Sequence, residues 1–331
     1  MTKREIALHL ALLMLLVLAG SGFYAYQKSS AMVPFLIRHL DSNSLRERQA
    51  ATFRLQELGN AARAAAPRLL KLTSDPLSRN APDATVALSR IDLTAARAAM
   101  ESAQTALRSP DLPARRRAAE TLGGLGLFAR PAVPALVAAT HDADALVRDR
   151  AVSALARIGV PAAQIVPALI AALDDPVYHV RHAAVAAFNF DFPPSAATEA
   201  LPTLQRLAQD PNPAVKQLAQ FAAQRINEAH PIAIELSVAR YMLVRDRESQ
   251  LYTLRKLAML GPQAAPLATD LVPLLQHPED IVRYTAVETL GAMGPSAREA
   301  ATAVRALLED REPVIRDAAG HALLLMGENQ R

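Results

Sequence analysis

The sequence predicts an all-α chain: an α-solenoid of about nine stacked helix pairs behind a short N-terminal apolar segment. Three observations carry this expectation. Half of the 331 residues are hydrophobic, yet only 4% are aromatic and tryptophan is absent. Alanine and leucine supply the apolar half, the mixture expected of many short, close-packed helices. An anchor position then recurs at Arg48, Ala81, Arg115, Arg148, Arg181, Lys216, Gln250, Arg283 and Arg316, every step 33 to 35 residues. Two further markers keep that register. Eleven residues after an anchor stands Gly59, Gly126, Gly159, Gly261, Gly294 or Gly327, and fourteen before it stands Pro34, Pro67, Pro134, Pro167 or Pro202.

Residues 1–30 form a separate segment. Lys3 and Arg4 precede a run from Ile6 to Tyr26 that holds no Asp, Glu, Lys or Arg. At about 1.5 Å per residue in a helix, that run spans the roughly 30 Å hydrocarbon core. Phe23, Tyr24 and Tyr26 stand where an aromatic belt meets the far interface. The expectation is a signal anchor, a single-pass transmembrane helix through residues 6–26. The positive-inside rule leaves its N-terminus in the cytoplasm. The composition, rich in Ala, Arg and Pro, points to a bacterial chain, its solenoid of residues 31–331 on the periplasmic side of the inner membrane. Cleavage near Ala19-Gly20-Ser21, with secretion, is the alternative. Either way the solenoid is exported.

Each unit reads as two helices. Proline opens helix A, where the first N–H has no partner to lose. An Asp-Pro or His-Pro turn comes next (Asp75-Pro76, Asp175-Pro176, Asp210-Pro211, His277-Pro278). Helix B carries one apolar stripe at −1, +3, +7 and +10 from the anchor, as in Val147, Ala151, Leu155 and Ile158. It ends at the glycine, expected in the left-handed conformation.

The turn, the Val-Arg or Ile-Arg pairs (Val147-Arg148, Val180-Arg181, Val282-Arg283, Ile315-Arg316) and the closing Leu-x-x-Leu/Ile/Met-Gly together resemble HEAT repeats. The short-repeat branch, the type also found in phycobilin lyases, is the nearest in kind. The resemblance covers about residues 31–328 and implies a right-handed solenoid whose B helices line the concave side. It also implies that the arginine column (Arg48, Arg115, Arg148, Arg181, Arg283, Arg316) is structural, each guanidinium held by a turn aspartate of its own or a neighbouring repeat. Repeat 2 departs from the pattern, with Ala81-Pro82 at the anchor and Asp92 in place of glycine.

The composition excludes several chemistries. Without cysteine there is no disulfide, Cys-ligated zinc or thiol nucleophile. The net charge of +4 falls to about +2 once Lys3, Arg4, Glu5 and Lys28 are set aside, which is no nucleic-acid footprint. There is no Gly-rich phosphate loop, Gly-x-Ser-x-Gly or His-Glu-x-x-His, so neither cofactor nor catalysis is expected. Arg115-Arg116-Arg117, with Glu120, reads as a solvated helix face.

Repeat 5, Asp174 to Pro194, is specialised. It gathers Tyr178, His179, His182 and Phe190, and replaces its closing glycine by Phe192-Pro193-Pro194. His179 and His182 lie 60° apart on a helical wheel, opposite the apolar stripe. Two imidazoles need a further ligand to hold a metal, so no metal is expected. The reading is an outward patch that contacts a protein partner. Phe221 and Tyr284 join it on the concave lining formed by positions +1, +5 and +8, with Leu251, Arg255, Glu288 and Asp317. The expected function is a non-catalytic, membrane-tethered scaffold that binds a polypeptide on its concave face. An enzyme or chromophore-handling protein similar to the HEAT-like bilin lyases is the alternative.

Overall fold

The computed structural model describes residues 30–75, 78–228 and 232–328; the expected signal anchor lies outside these. Every element among them is helical. Nine B helices accompany the nine anchors: α2 (Leu45–Leu58), α4 (Ala81–Ile91), α6 (Leu112–Leu125), α8 (Ala145–Ile158), α10 (Tyr178–Ala186), α12 (Pro213–Asn227), α14 (Arg247–Leu260), α15 (Asp280–Met293) and α17 (Pro313–Leu325). The A helices are α1 (Val33–His39), α3 (Ala66–Ser74), α5 (Leu93–Ala106), α7 (Val133–Ala139), α9 (Val166–Ala172), α11 (Leu201–Leu207), α13 (Ile232–Met242) and α16 (Ala301–Ala306), with a 3-10 helix, Thr269–Gln276, in repeat 8.

Two stripe positions explain the stacking. Position +3 is alanine in eight repeats, which lets successive B helices approach closely, and Thr253 in repeat 7. Position +7 is a large apolar residue in eight: Leu55, Leu88, Leu122, Leu155, Phe188, Leu257, Leu290 and Leu323, all buried in one continuous core. Each such side chain removes roughly 1.5–3 kcal/mol of apolar surface from water. The exception is Ala223 in repeat 6. Asp or Asn caps start many of these helices: the side chains of Asp111, Asp144, Asn212 and Asp246 accept the N–H of Ala114, Val147, Ala214 and Ser249 at 3.0–3.1 Å.

The closing glycines all have positive φ, and Gly159 (φ 72°, ψ 39°) is left-handed helical as expected. Gly59, Gly126, Gly261 and Gly294 combine φ of 53–64° with ψ of −129° to −145°, a region essentially closed to other residues. The departure from expectation has a local cause in the next few residues. These four glycines lead straight into a 3-10 turn, whereas Gly159 leads into Val160-Pro161.

Three repeats lack this glycine, with Asp92, Phe192 or Asn227 in its place, and two of them turn by other means. In repeat 2, Asp92 is the only residue between α4 and α5, and its carboxylate accepts the N–H of Ala95 at 3.0 Å. In repeat 5, α10 widens into a π-helical turn, Ala187–Asp191, closed by the Phe192 N–H on the Ala187 carbonyl at 3.2 Å. Phe188 and Phe192 are buried with ring centroids 5.4 Å apart.

The stack also closes on itself. α15 packs against α4, and α17 against α5. Arginines of repeats 1–4 meet carboxylates of repeats 7–9: Arg63 with Asp280 (3.2 Å) and Glu312 (2.8 Å), Arg90 with Glu248 (2.7 Å), Arg97 with Asp317 (2.7 Å), and Arg130 with Glu288 (3.0 Å). The Phe128 and Tyr284 rings lie 4.6 Å apart across the same seam. A Cβ on Gly159 would fall 2.4 Å from the Arg255 Cγ, so glycine is needed there for approach as well as for conformation. Every residue of α15 is buried as a result. By length and composition alone, the run Leu112–Ala139 could cross a membrane, but 61% of its most apolar window is buried as part of the core.

Candidate interaction surface and the cleft between repeats 6 and 7

Four of the six column arginines build one rung each. Arg115, Arg148, Arg181 and Arg283 reach forward, each gripping with two nitrogens the turn aspartate of the next repeat. The partners are Asp142, Asp175, Asp210 and Asp310, with Nε–O distances of 2.7–2.8 Å. Nη1 of the same arginine caps carbonyls of its own turn, as Arg148 does at Asp142 and Ala143. Each aspartate also accepts a backbone N–H two residues on, at 2.8–2.9 Å. Arg48 and Arg316 donate to Ser42 and Asp310 carbonyls. At Asp142, Asp175 and Asp310 burial works to raise the carboxyl, and the arginine and backbone donors outweigh it, so each titrates below the usual carboxylate range. At Asp210 the arginine is the leading cause of the same lowering.

Arg115-Arg116-Arg117 departs from the expected solvated face. Arg115 forms a rung, Arg116 grips Asp144 with two nitrogens at 2.9 and 2.6 Å, and Arg117 meets Glu120 at 2.7 Å. The Arg116 bond leads in pulling the Asp144 carboxyl down to about 2. The run is part of the repeat-to-repeat joint because the next turn supplies an acid at both of its helix-start positions.

Among the expected contact residues, Tyr284 is corrected outright. It is buried, 6% exposed, beneath Phe128. Leu251, Arg255, Glu288 and Asp317 of the expected lining face the same seam or its rim, because repeats 1–4 cover the inner face of repeats 7–9. Tyr178 and His179 are exposed and stack at 5.2 Å, His182 is half-buried, and Phe221 is exposed on the neighbouring α12. Phe190 is exposed too, but on the π-turn, at the rim of a cleft. Asp149 lies close enough to feel the charge of both histidines; burial, the larger effect, raises its carboxyl. Among the described residues no group of three or more His, Asp or Glu side chains is placed to hold a metal.

The cleft is the feature that sequence reasoning missed. Successive B helices pack along one another at every step except α12 to α14. The gap between them is a cavity of about 590 Å³ walled by Phe190, Phe192, Ile234, Val238, Met242, Tyr252, Leu257 and Leu260. One signal sets this step apart, Ala223 in place of a large side chain at +7; the step also lacks both halves of a rung, with Lys216 at the anchor and Val244 at the turn position that is aspartate in five repeats.

On its floor, Arg225 donates to the Phe188 and Phe192 carbonyls at 2.5 and 3.0 Å, and Lys256 donates to those of Phe190 (3.0 Å) and Asp191. These cations cap the π-turn in place of the absent glycine motif. Burial, reinforced by Arg255, pushes the Lys256 ammonium down to about 7.

A family model of HEAT repeats matches residues 100–189 and 242–327, more than half of the chain. The stretch between these matches, 190–241, contains the Phe192-Pro193-Pro194 exit, α11, α12 and most of α13. Among solved structures, the chain is similar to an engineered protein at 22% identity and TM-score 0.38, over 90% of this chain and 89% of that one. It is also similar to a computationally designed armadillo repeat protein for modular peptide recognition at 22% identity and TM-score 0.37, over 58% of this chain and 98% of that one. Among curated proteins no match is found. With the 33- to 35-residue register, the A/B helix pairs and the arginine–aspartate rungs, the matched stretches show that the chain belongs to the HEAT-repeat family.

Proposed function

We propose that the chain is a non-catalytic interaction scaffold, exported and tethered by its N-terminal apolar segment, which binds a polypeptide on the inner side of repeats 5 and 6. The supporting observation is the distribution of open surface. The inner face of repeats 7–9 is covered from within, while Tyr178, His179 and Phe221 stay exposed on α10 and α12. Aromatic anchors of this kind dominate binding at many protein interfaces. The run from Ile6 to Tyr26 supports the tether.

The test is affinity capture from membranes with the full chain and with Tyr178→Ala/Phe221→Ala. The variant is expected to lose the captured partner at least about tenfold, with melting unchanged because surface truncations cost within about 0.5 kcal/mol. Equal capture by both chains overturns the placement. A mature chain that begins near Gly22 overturns the tether.

A further inference from the structure

The cations of the cleft stand apart from the other cations of the joints. Rung arginines have hydrogen-bonded carboxylate partners; among the described residues Arg225 and Lys256 donate hydrogen bonds only to backbone carbonyls, Asp191 and Glu235 act on them through charge alone, and the buried Nε of Arg225 has no hydrogen-bond partner. A cation withdrawn from water without a directly bonded counter-ion is costly, and proteins pair such charges or bind ions with them. The carboxylates that share the lining are engaged elsewhere: Glu235 accepts from the Ser195 N–H (3.3 Å) and hydroxyl (3.1 Å), and Glu228 from Gln224 (3.0 Å). Asp191 faces Arg255 at 3.4 Å.

Residue choice adds to the argument. The chain holds only five lysines, Lys3, Lys28, Lys71, Lys216 and Lys256, amid abundant arginine. The one at the cavity floor lies with its ammonium 5.2 Å from the centre of the Tyr252 ring. Above it rise Ile234 and Val238, 46% and 57% exposed on one face of α13. The volume of about 590 Å³ falls within the roughly 300–1,000 Å³ of small-molecule sites, which pair apolar walls with a few convergent polar groups.

We propose that this cleft is a binding site for a small amphipathic carboxylate, whose apolar chain fills the gap between α12 and α14 and whose carboxylate supplies the counter-ion to Lys256. Because the free ammonium titrates near 7, carboxylate binding draws in a proton at neutral pH and weakens as the pH rises from 7 to 9. The site is separate from the Tyr178–Phe221 surface, so its failure leaves the scaffold reading standing.

Octanoate, octanol and octylamine are to be titrated calorimetrically into the full chain held in amphipol, with amphipol alone as the blank. Octanoate is expected to bind at one site, about tenfold or more tighter than octanol, with octylamine weakest. Lys256→Met reduces octanoate to the level of octanol. Since that variant also uncaps the π-turn, Val238→Trp serves as a second probe; it fills the exposed wall without touching the floor, and is expected to abolish octanoate binding at unchanged melting temperature. Equal binding of octanoate and octanol overturns the proposal, as does undiminished octanoate binding by Val238→Trp.

Discussion

From α6 to α10, two devices close each step of the stack: a large side chain at +7 fills the space between B helices, and a rung ties one anchor arginine to the next turn. From α12 to α14 both are missing, and the helices part. The same 33- to 35-residue unit therefore gives either a joint or a cleft, and the step that opens differs at Ala223, Lys216 and Val244, while the α14–α15 step stays packed without a rung, with Gln250 and His277 at those positions. The repeat motif makes helix pairs; a small set of positions within it decides whether neighbours meet.

The two kinds of joint should respond differently to acid, and this is the largest effect expected. The rung aspartates have folded-state pKa values held below their ordinary ones, so in acid the unfolded chain binds more protons than the folded one. Their stabilisation is complete above about pH 4 and is lost as the pH falls through the folded values. Asp144, at about 2, is the last to go. Amide hydrogen exchange between pH 4 and 2 should open α6, α8 and α10 progressively, while exchange around the rungless α12–α14 joint changes least. Uniform opening would mean that the rungs do not distinguish the joints.

Within the rungs, burial sets the rank. Arg283 sits among Asp280 and Asp310, with all three side chains no more than 7% exposed. Its replacement by alanine strands the buried Asp310 carboxylate, while Asp280 keeps Arg63 and Arg311, and should cost about 3–5 kcal/mol. Arg148→Ala faces a wetter site, 13% exposed, and should lose about 1.5–3 kcal/mol, the value of a hydrogen bond to a charged group. Denaturant midpoints of the two variants check the order, and an Arg148 loss equal to that of Arg283 would break it.

Much of this is legible in the sequence alone. The register, the helix pairs and the Asp-Pro turns come from patterns that act locally, through helix caps, proline and stripe periodicity. The direction of the rungs is not legible, because choosing the following turn over the arginine's own depends on the offset between stacked helices. Self-closure is hidden for a stronger reason. Arg63, Arg90, Arg97 and Arg130 look like ordinary surface arginines in sequence, and their partners stand 158 to 249 residues away. A repeat pattern encodes contacts between neighbours and says nothing of the superhelix meeting itself. Tyr284 is misplaced by sequence reasoning for this reason: position +1 faces outward in an open solenoid and inward in this closed one.

The smallest expected effect is also the most direct test of the comparison. Lys216→Arg together with Val244→Asp writes the two missing rung residues into the α12–α14 step at the positions they occupy elsewhere. Val244 is 81% exposed, so the aspartate meets no packing obstacle. If residue identity alone broke the rung, the double variant should gain up to about 1 kcal/mol, the upper end for a partly exposed ion pair. For a protein of this size, that is a rise of about 2–4 °C or less in melting temperature. Lys216→Arg alone should gain nothing, and Val244→Asp alone, facing the Lys216 ammonium without a bidentate fork, should gain less than the pair, so non-additivity in the double-mutant cycle is the signature. If the pair gains no more than the sum of its parts, the cleft is held open by packing, and Ala223 is the position to test. Ala223→Leu then becomes the change that closes it, and octanoate binding should fall as it does.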